Sequence, residues 1–520
     1  MTFFKREQLF YLLVSTTILV LLFTHPFMRY PYDIWEHLFI IDSHYDNLVN
    51  MPEVRKIWHK IWTFIFDIID IENREILLRA KIIHSIQLVL SLTAVFIFAR
   101  VVIRLIFTTI EKLTSNYMAY WATLIWLTIY ATHSMHYHQV WILWYSVNYQ
   151  ITLPLFWYDM ALILMVLFEV QKPLLKTFYI LQITLLSLFI LAIHPMEFLY
   201  LLMHLLVLTL LFIDRVVLFA KRHAVFLLAI LSITLLVMQR LYSEKLPPII
   251  QYLTIEKLPE LYALILHNGE FLITNRLTRA YASFNDLMVL SLFVGMILFL
   301  YISIFLKKQK RESIDIRFYA YLLITSLFVL IPLFVWSAGF ASVITKPEVV
   351  NRFYYSSSIF VLLPIALYYL LHYCLQTMNI QRYNISILAI IVVMFAYSKF
   401  YTKNQAYYKN IKSLEYSFDN KKVGFHLNKS DIEQIGEELQ AYERQRDKSK
   451  KVLYLARGDI AMVLRYIYHA HVYWQGRSTN PSYQNMLEYQ RMKATDASFK
   501  NQEIIIFETP KNFVKYEPYR

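Results

Sequence analysis

One cysteine, seven glycines and a charged fraction of only 17% are what this sequence has least of. The single cysteine, Cys374, excludes a disulfide within the chain, so any region outside a membrane must hold together without one. With seven glycines a phosphate-cradling Gly-rich loop is not expected, and none occurs, which disfavours a nucleotide-hydrolysing enzyme. The same scarcity predicts that close glycine-mediated helix packing, of the GxxxG kind, is not used. A water-soluble chain of 520 residues would need far more polar surface than 17% charge supplies. No internal repeat is visible either, which weakens a transporter built from two related halves.

What the chain has in abundance is apolar and aromatic sequence: 58% hydrophobic residues, with 40 Tyr and 37 Phe. A bilayer core takes about 20 apolar helical residues to cross. About eleven stretches approach that length: 7–24, 79–98, 117–132, 151–170, 178–193, 197–213, 224–238, 286–306, 318–335, 355–376 and 385–400. Each is predicted helical, because backbone polar groups in lipid must be satisfied within the segment. The first follows "FKRE" and lacks a small-residue cleavage site after it, so it reads as a retained helix rather than a removed signal peptide.

Lysine and arginine set the expected orientation. With the N-terminus cytoplasmic, the six inner loops (1–6, 99–116, 171–177, 214–223, 307–317, 377–384) hold 16 Lys/Arg in 60 residues. The five outer loops (25–78, 133–150, 194–196, 239–285, 336–354) hold 12 in 141. The formal charge of +14 therefore mostly reflects topology. No basic–aromatic groove pattern appears, so no nucleic-acid partner is expected. Membrane lipids are.

Two outer loops are long. In the first, Trp58, Trp62, Ile65 and Ile69 recur at helical spacing among charged residues, which predicts an amphipathic interfacial helix. The second contains "EKLPPIIQYLTIEKLPELYALIL", of similar half-buried character. After residue 400 the chain turns polar. "KSDIEQIGEELQAYERQRDKSKK" reads as a helix with Ser430 as N-cap. "KVLYLA" and "EIIIFE" read as strands, with the helical period of "GDIAMVLRYIYH" between them. The expected fold is mainly α: a polytopic membrane domain over 1–400, then a small extracytoplasmic (periplasmic) α/β domain over 401–520, anchored in an inner or plasma membrane.

Ionisable groups at membrane level are functional candidates. The stretch "PYDIWEHLFIIDSHYD" (31–46) follows the first span and holds Asp33, Glu36, Asp42, Asp46, His37 and His44. If 33–45 is helical, Asp33, His37 and His44 lie roughly along one face. Solvated interfacial charge is the plain alternative. A divalent-metal set of Asp33, His37, Asp42 and His44 has suitable ligand types, but no single spacing here is diagnostic. In "AIHPMEF", His194 and Glu197 form a minimal outer turn, though Pro195 could explain the motif as a helix break with His194 merely capping. In "KPEVVNRFYYSSS", Arg352 sits at a membrane boundary among Phe353, Tyr354 and Tyr355, where a snorkelling anchor is the alternative. Asp159 lies mid-span and must face protein or a water-filled cavity. His133, His136 and His138 lie among aromatics that first suit an interface belt.

One helix, an outer loop opening with acids, interfacial helices, the basic re-entry "RAKIIHSIQ", many further spans and a terminal outer domain together resemble the type-C glycosyltransferase superfamily. Its members are integral membrane enzymes that use lipid-linked sugar donors. The resemblance lies in layout over roughly residues 1–400 and departs from many members at 133–150, where a second acid is missing. It implies a catalytic acid just after the first helix, Asp33 with Glu36 as the nearest alternative, and inversion at the sugar. It implies a late-loop cation on the lipid phosphate, Arg352, which with His194 makes the donor phosphate set. His37, Glu197, Tyr354 and Asp159 are the substrate-binding candidates. The implied partners are a polyprenyl-phosphate sugar and a periplasmic glycan, lipid or protein acceptor; no cofactor is required beyond a divalent ion in metal-dependent members. The alternatives are a polymerase or ligase moving whole lipid-linked oligosaccharides, and a non-enzymatic transporter or assembly scaffold.

Overall fold

The structure is a computed structural model. It describes residues 38, 41, 57–71, 76–107, 112–126, 149–224, 228, 232, 255–273, 292–293, 295–297, 315–345, 347–366, 368, 429–449, 451–456, 458–474, 502–509 and 512–516. The chain divides into two compact units, one of Met1–His25, Gln87–Leu143 and Tyr149–Asn404, the other of Pro26–Ile86, Trp144–Asn148 and Gln405–Arg520.

In the second unit α1 (Ile57–Ile68) is the amphipathic helix of the first long loop. Its buried face is Trp58, His59, Trp62, Thr63 and Phe66. Trp58 and Trp62 meet edge to face, and Phe66 continues the ladder. The expected stripe continues into Ile65 and Ile69, but Phe66 takes the buried position and Ile69 is exposed. The buried face is turned from the Trp58–Ile65–Ile69 line toward His59, Thr63 and Phe66. The remaining apolar residues Ile61, Phe64 and Ile68 are exposed, so the helix is apolar on both sides.

The first unit is a bundle of apolar helices. α2 (Ile76–Ile106), which belongs to this unit from Gln87 on, carries the span Ser85–Ile106, and α3 (Lys112–Trp126) follows it. α4 (Tyr149–Leu164) contains Pro154 and ends in a π-helical turn, Met165–Glu169. α5 (Pro173–Ile193) and α6 (Pro195–Leu211) are separated by a single residue, and α6 bends by 106° at Phe212 into α7 (Ile213–Arg222). α8 (Leu258–Leu272) comes next. α9 (Ile316–Ser326) runs on as a 3₁₀ stretch to Leu333 and completes the span Ile316–Leu333. α10 (Val335–Ile344) precedes a second 3₁₀ stretch, Pro347–Ser356, and helical residues 359–366.

The chain is thus a mostly helical membrane protein. Its described residues include four helices long and apolar enough to cross a bilayer, or five if the bent pair α6–α7 counts as one. The observed spans fall close to the expected 79–98, 151–170, 178–193 and 318–335. Expected spans 7–24 and 385–400 lie outside the described residues, as do His133, His136 and His138.

α4, α5 and α6 pack together, with α9 against α6. Their core is aromatic. Trp157 lies 4.7 Å from Phe98 and 5.0 Å from Phe360, centroid to centroid, and Phe156 bridges to Tyr200 and His204. Elsewhere glycine does what its scarcity argued against. α8 and α10 cross at Gly269 and Gly339, so closely that a Cβ on Gly269 would fall 2.0 Å from the Val335 carbonyl oxygen. A Cβ on Gly339 would fall 1.9 Å from that of Ile265. Two glycines on different helices suffice for such a contact. A repeated motif on one helix is not needed.

The C-terminal part of the second unit contains α11 (Lys429–Gln445), β1 (Lys451–Ala456), α12 (Gly458–Tyr466), β2 (Val472–Trp474), β3 (Gln502–Thr509) and β4 (Asn512–Tyr516). The strand order is β2-β1-β3-β4, with β1 parallel to both neighbours and β4 antiparallel to β3. β1 is buried along five of its six residues, as a central parallel strand requires. α11 begins at Lys429, which puts Ser430 inside the first turn rather than at the cap.

Candidate functional site

The site grows from the one-residue turn between α5 and α6. Pro195 sits at the first position of α6, where a missing N–H costs nothing and φ is already helical. A residue before proline is pushed to extended backbone. His194 obeys, at φ −149° and ψ 94°, and so both ends α5 and starts α6. Glu197 falls in the first turn of α6, where the helix dipole favours a carboxylate.

This geometry folds His194 back onto its own helix. Its Nδ1 meets the Glu197 Oε2, which also accepts from the Thr152 hydroxyl of α4 at 3.3 Å. The other ring nitrogen, Nε2, lies 3.4 Å from Nη1 of Arg352, 158 residues away. A guanidinium can only donate, so Nε2 accepts and the ring proton sits on Nδ1, directed at the carboxylate. The result is a relay, Glu197–His194–Arg352, with a carboxyl group at one end, a guanidinium at the other and the imidazole between. The Glu197 side chain is 6% exposed and that of His194 18%, so the relay is shielded from solvent yet reachable at its histidine.

A second row of contacts, deeper along α6, holds the Arg352 segment in place. Glu197, Tyr200 and His204 share a face of α6 by their spacing. The Tyr200 hydroxyl donates to the Arg352 carbonyl at 2.5 Å, and its ring packs on Phe353. His204 lies 2.8 Å through Nε2 from the Ser356 carbonyl and 2.8 Å through Nδ1 from the Tyr321 hydroxyl. A carbonyl only accepts, so His204 carries its proton on Nε2 and takes a hydrogen bond from Tyr321. Beyond it, Ser357 donates to the Ser326 carbonyl at 2.7 Å, which ties 347–358 to the end of α9.

Of the sequence candidates, His194, Glu197 and Arg352 come together. Asp159 does not join them. It is buried in α4 and accepts from Ser187 of α5 at 2.7 Å, while its Oδ1 has no partner among the described residues. Ser187 precedes His194 by seven residues, about 10 Å of helical rise. Tyr354 lies in the 3₁₀ stretch beside Arg352, but its side chain is outside the described residues, as are Asp33, Glu36, His37 and the other first-loop ligands. Among the described residues no three His, Cys, Asp or Glu converge on a metal position.

Thr152, Tyr200, His204 and Tyr321 were not singled out in the sequence. A signal existed for two of them: in "PMEFLYLLMHLLVLTLL" the polar-capable residues Glu197, Tyr200 and His204 fall at i, i+3 and i+7 in an otherwise apolar helix.

No protein-family model matches the chain, and no curated protein matches it. A solved structure aligns with it: the archaeal oligosaccharyltransferase AglB from Archaeoglobus fulgidus, in complex with an inhibitory peptide and a dolichol-phosphate. The alignment covers 96% of this chain and 69% of that one, at 13% identity and a TM-score of 0.36. The likeness is one of broad outline, and no residue role is taken from it.

Proposed function

We propose that this protein is a membrane glycosyltransferase that moves a sugar from a polyprenyl-phosphate donor to a glycan, lipid or protein acceptor outside the membrane. The observation that carries the reading is the meeting of Arg352 with His194 and Glu197 beside the start of α6. A cation held next to a helix N-terminus suits a phosphate. The planar fork of arginine engages phosphate oxygens in pairs.

In the reaction a bond forms between an acceptor oxygen and the anomeric carbon, and the bond from that carbon to the donor phosphate breaks. The acceptor proton passes to a carboxylate, and prenyl phosphate leaves with the electron pair. Arg352 stabilises the charge that develops on the phosphate, with His194 beside it. Asp33 is the assigned base, with Glu36 the nearest alternative. His37, Glu197, Tyr354 and Asp159 are the substrate-facing candidates. The eleven-span topology, the cytoplasmic N-terminus, the 1–400 catalytic region and an extracytoplasmic 401–520 domain belong to the same proposal.

The test is release of prenyl phosphate from synthetic prenyl-phosphate sugars by purified protein. Wild type should turn over, and Asp33→Asn and Arg352→Ala should each lose turnover by on the order of a hundredfold or more. Equal turnover by wild type and Asp33→Asn would remove that residue as the base. Equal turnover with Arg352→Ala would sink the site.

A further inference from the structure

α7 keeps all of its side chains at least partly open. None of its ten residues is buried. A helix that short is not stable in water by propensity alone. Yet its sequence, "IDRVVLFAKR", is sharply two-sided. At 100° per residue Ile213, Val216, Val217 and Ala220 share one face, while Asp214, Arg215, Lys221 and Arg222 share the other, with Leu218 among them. The apolar face is open: Ile213 is 59% and Val217 44% exposed.

The angle of α7 is held from its base. Phe212, at the bend, is fully buried between Phe168 and Phe318, at 4.8 and 4.5 Å between centroids. The Arg317 guanidinium lies over the Phe212 ring at 4.7 Å. With α6 along the bundle, a turn of 106° lays α7 across its end.

The charge at this end of the bundle is one-sided. Asp214 and Asp315 face Arg317, and Glu169 faces Arg104. Arg215, Lys221 and Arg222 on α7 have no carboxylate partner among the described residues, and neither do Lys172 and Lys176 at the start of α5. The two groups are brought together: Lys176 Nζ stands 5.3 Å from the Phe219 ring of α7. Lys221 and Arg222 also complement the C-terminal end of the helix dipole.

We infer that α7 lies in the membrane interface and, with the start of α5, forms a binding site for the headgroups of anionic phospholipids. The apolar face enters the acyl boundary and the five cations take the lipid phosphates. Charge complementarity selects this occupant over a second copy of the chain, since a symmetric interface between copies would set this cationic cluster against its own kind. The inference stands apart from the catalytic proposal and needs none of its residues.

The test uses the full chain in nanodiscs. Native mass spectrometry should find phosphatidylglycerol retained in preference to phosphatidylcholine. The triple variant Lys176→Gln, Lys221→Gln, Arg222→Gln should lose that preference by on the order of ten- to a hundredfold. All three residues sit at the protein surface, so the fold should tolerate the change. A probe on Val217→Cys, in a Cys374→Ser background, reads the apolar face without altering any charge, and brominated acyl chains should quench it. Unquenched fluorescence overturns the interfacial placement. Equal lipid retention by wild type and triple variant, or displacement of the lipid by millimolar inorganic phosphate, overturns the headgroup site.

Discussion

Tyr200 reaches across 152 residues of sequence to donate its hydroxyl proton to the backbone carbonyl of Arg352 at 2.5 Å. It holds the main chain of the residue whose side chain meets His194. Tyr200→Phe keeps the ring contact with Phe353 and deletes only that bond. Loss of one such hydrogen bond costs about 0.5–1.5 kcal/mol. The variant should melt earlier in thermal unfolding. Its KM for a prenyl-phosphate sugar should rise severalfold while kcat changes little. An unchanged KM would separate Tyr200 from the site.

Arg352→Lys preserves the charge but not the planar fork. If Arg352 clamps a phosphate in two places, lysine should recover only part of what alanine loses. Binding of prenyl phosphate, titrated by intrinsic tryptophan fluorescence, should rank wild type, lysine and alanine in that order. Full recovery by lysine would make this residue a plain counter-charge.

Glycine at 269 and 339 is required by backbone-to-backbone contact between α8 and α10. Neither carbonyl oxygen can move aside as the tip of a flexible side chain could. Gly339→Ala should destabilise by about 1–3 kcal/mol, as overpacking does. The double variant with Gly269→Ala should cost less than the sum, because one separation of the helices relieves both clashes. Thermal melts in detergent of the two singles and the double decide this. Strict additivity would contradict the shared crossing.

Glu443 on α11 is a pH-sensitive tie in the second unit. Burial raises its pKa, but hydrogen bonds from Tyr454 and Arg446, at 2.6 Å each, and the charges of Arg446 and Lys448 outweigh that, leaving it below the ordinary glutamate value. A depressed carboxylate contributes stability that is fully present above its unfolded pKa and is lost as pH falls through the folded one. Glu443→Gln should therefore loosen α11 and β1 at neutral pH. The gap from wild type should close as the solution is acidified below the usual carboxylate range. Hydrogen exchange of peptides from 429–456 in the full chain measures it. A gap that stays constant with pH would rule out the ionised form as its source.

Much of the helical layout was legible, because lipid solvent imposes a simple rule. A run of about 20 apolar residues must be a helix. The expected 151–170 meets Ile151–Glu169 almost residue for residue, and 178–193 shares its end with Pro173–Ile193, which starts five residues earlier. "KVLYLA" and "EIIIFE" form β1 and β3, since β-branched and aromatic runs suit a buried strand. "HPMEF" pointed to His194 and Glu197, because a loop as short as the expected 194–196 leaves both at membrane level. The face of α1 was read less well, since apolar residues also stand on its exposed side and His59 and Thr63 are buried, so polarity alone does not choose between Ile69 and Phe66. The close crossing at Gly269 and Gly339 was missed because scarcity says nothing about where two glycines meet.

By itself, then, the sequence determined the long apolar runs, four of which are span-length helices among the described residues, and where ionisable groups stand along them, since transfer to lipid is a local property of composition. Only the tertiary structure decided that Arg352 stands against His194, that Tyr200 and His204 hold the intervening backbone, and that α7 leaves the bundle at an angle. Those outcomes depend on helix crossings and on contacts between residues more than a hundred positions apart. Inside lipid every helix is equally apolar, so hydropathy cannot choose which faces meet, and packing and hydrogen bonding make that choice.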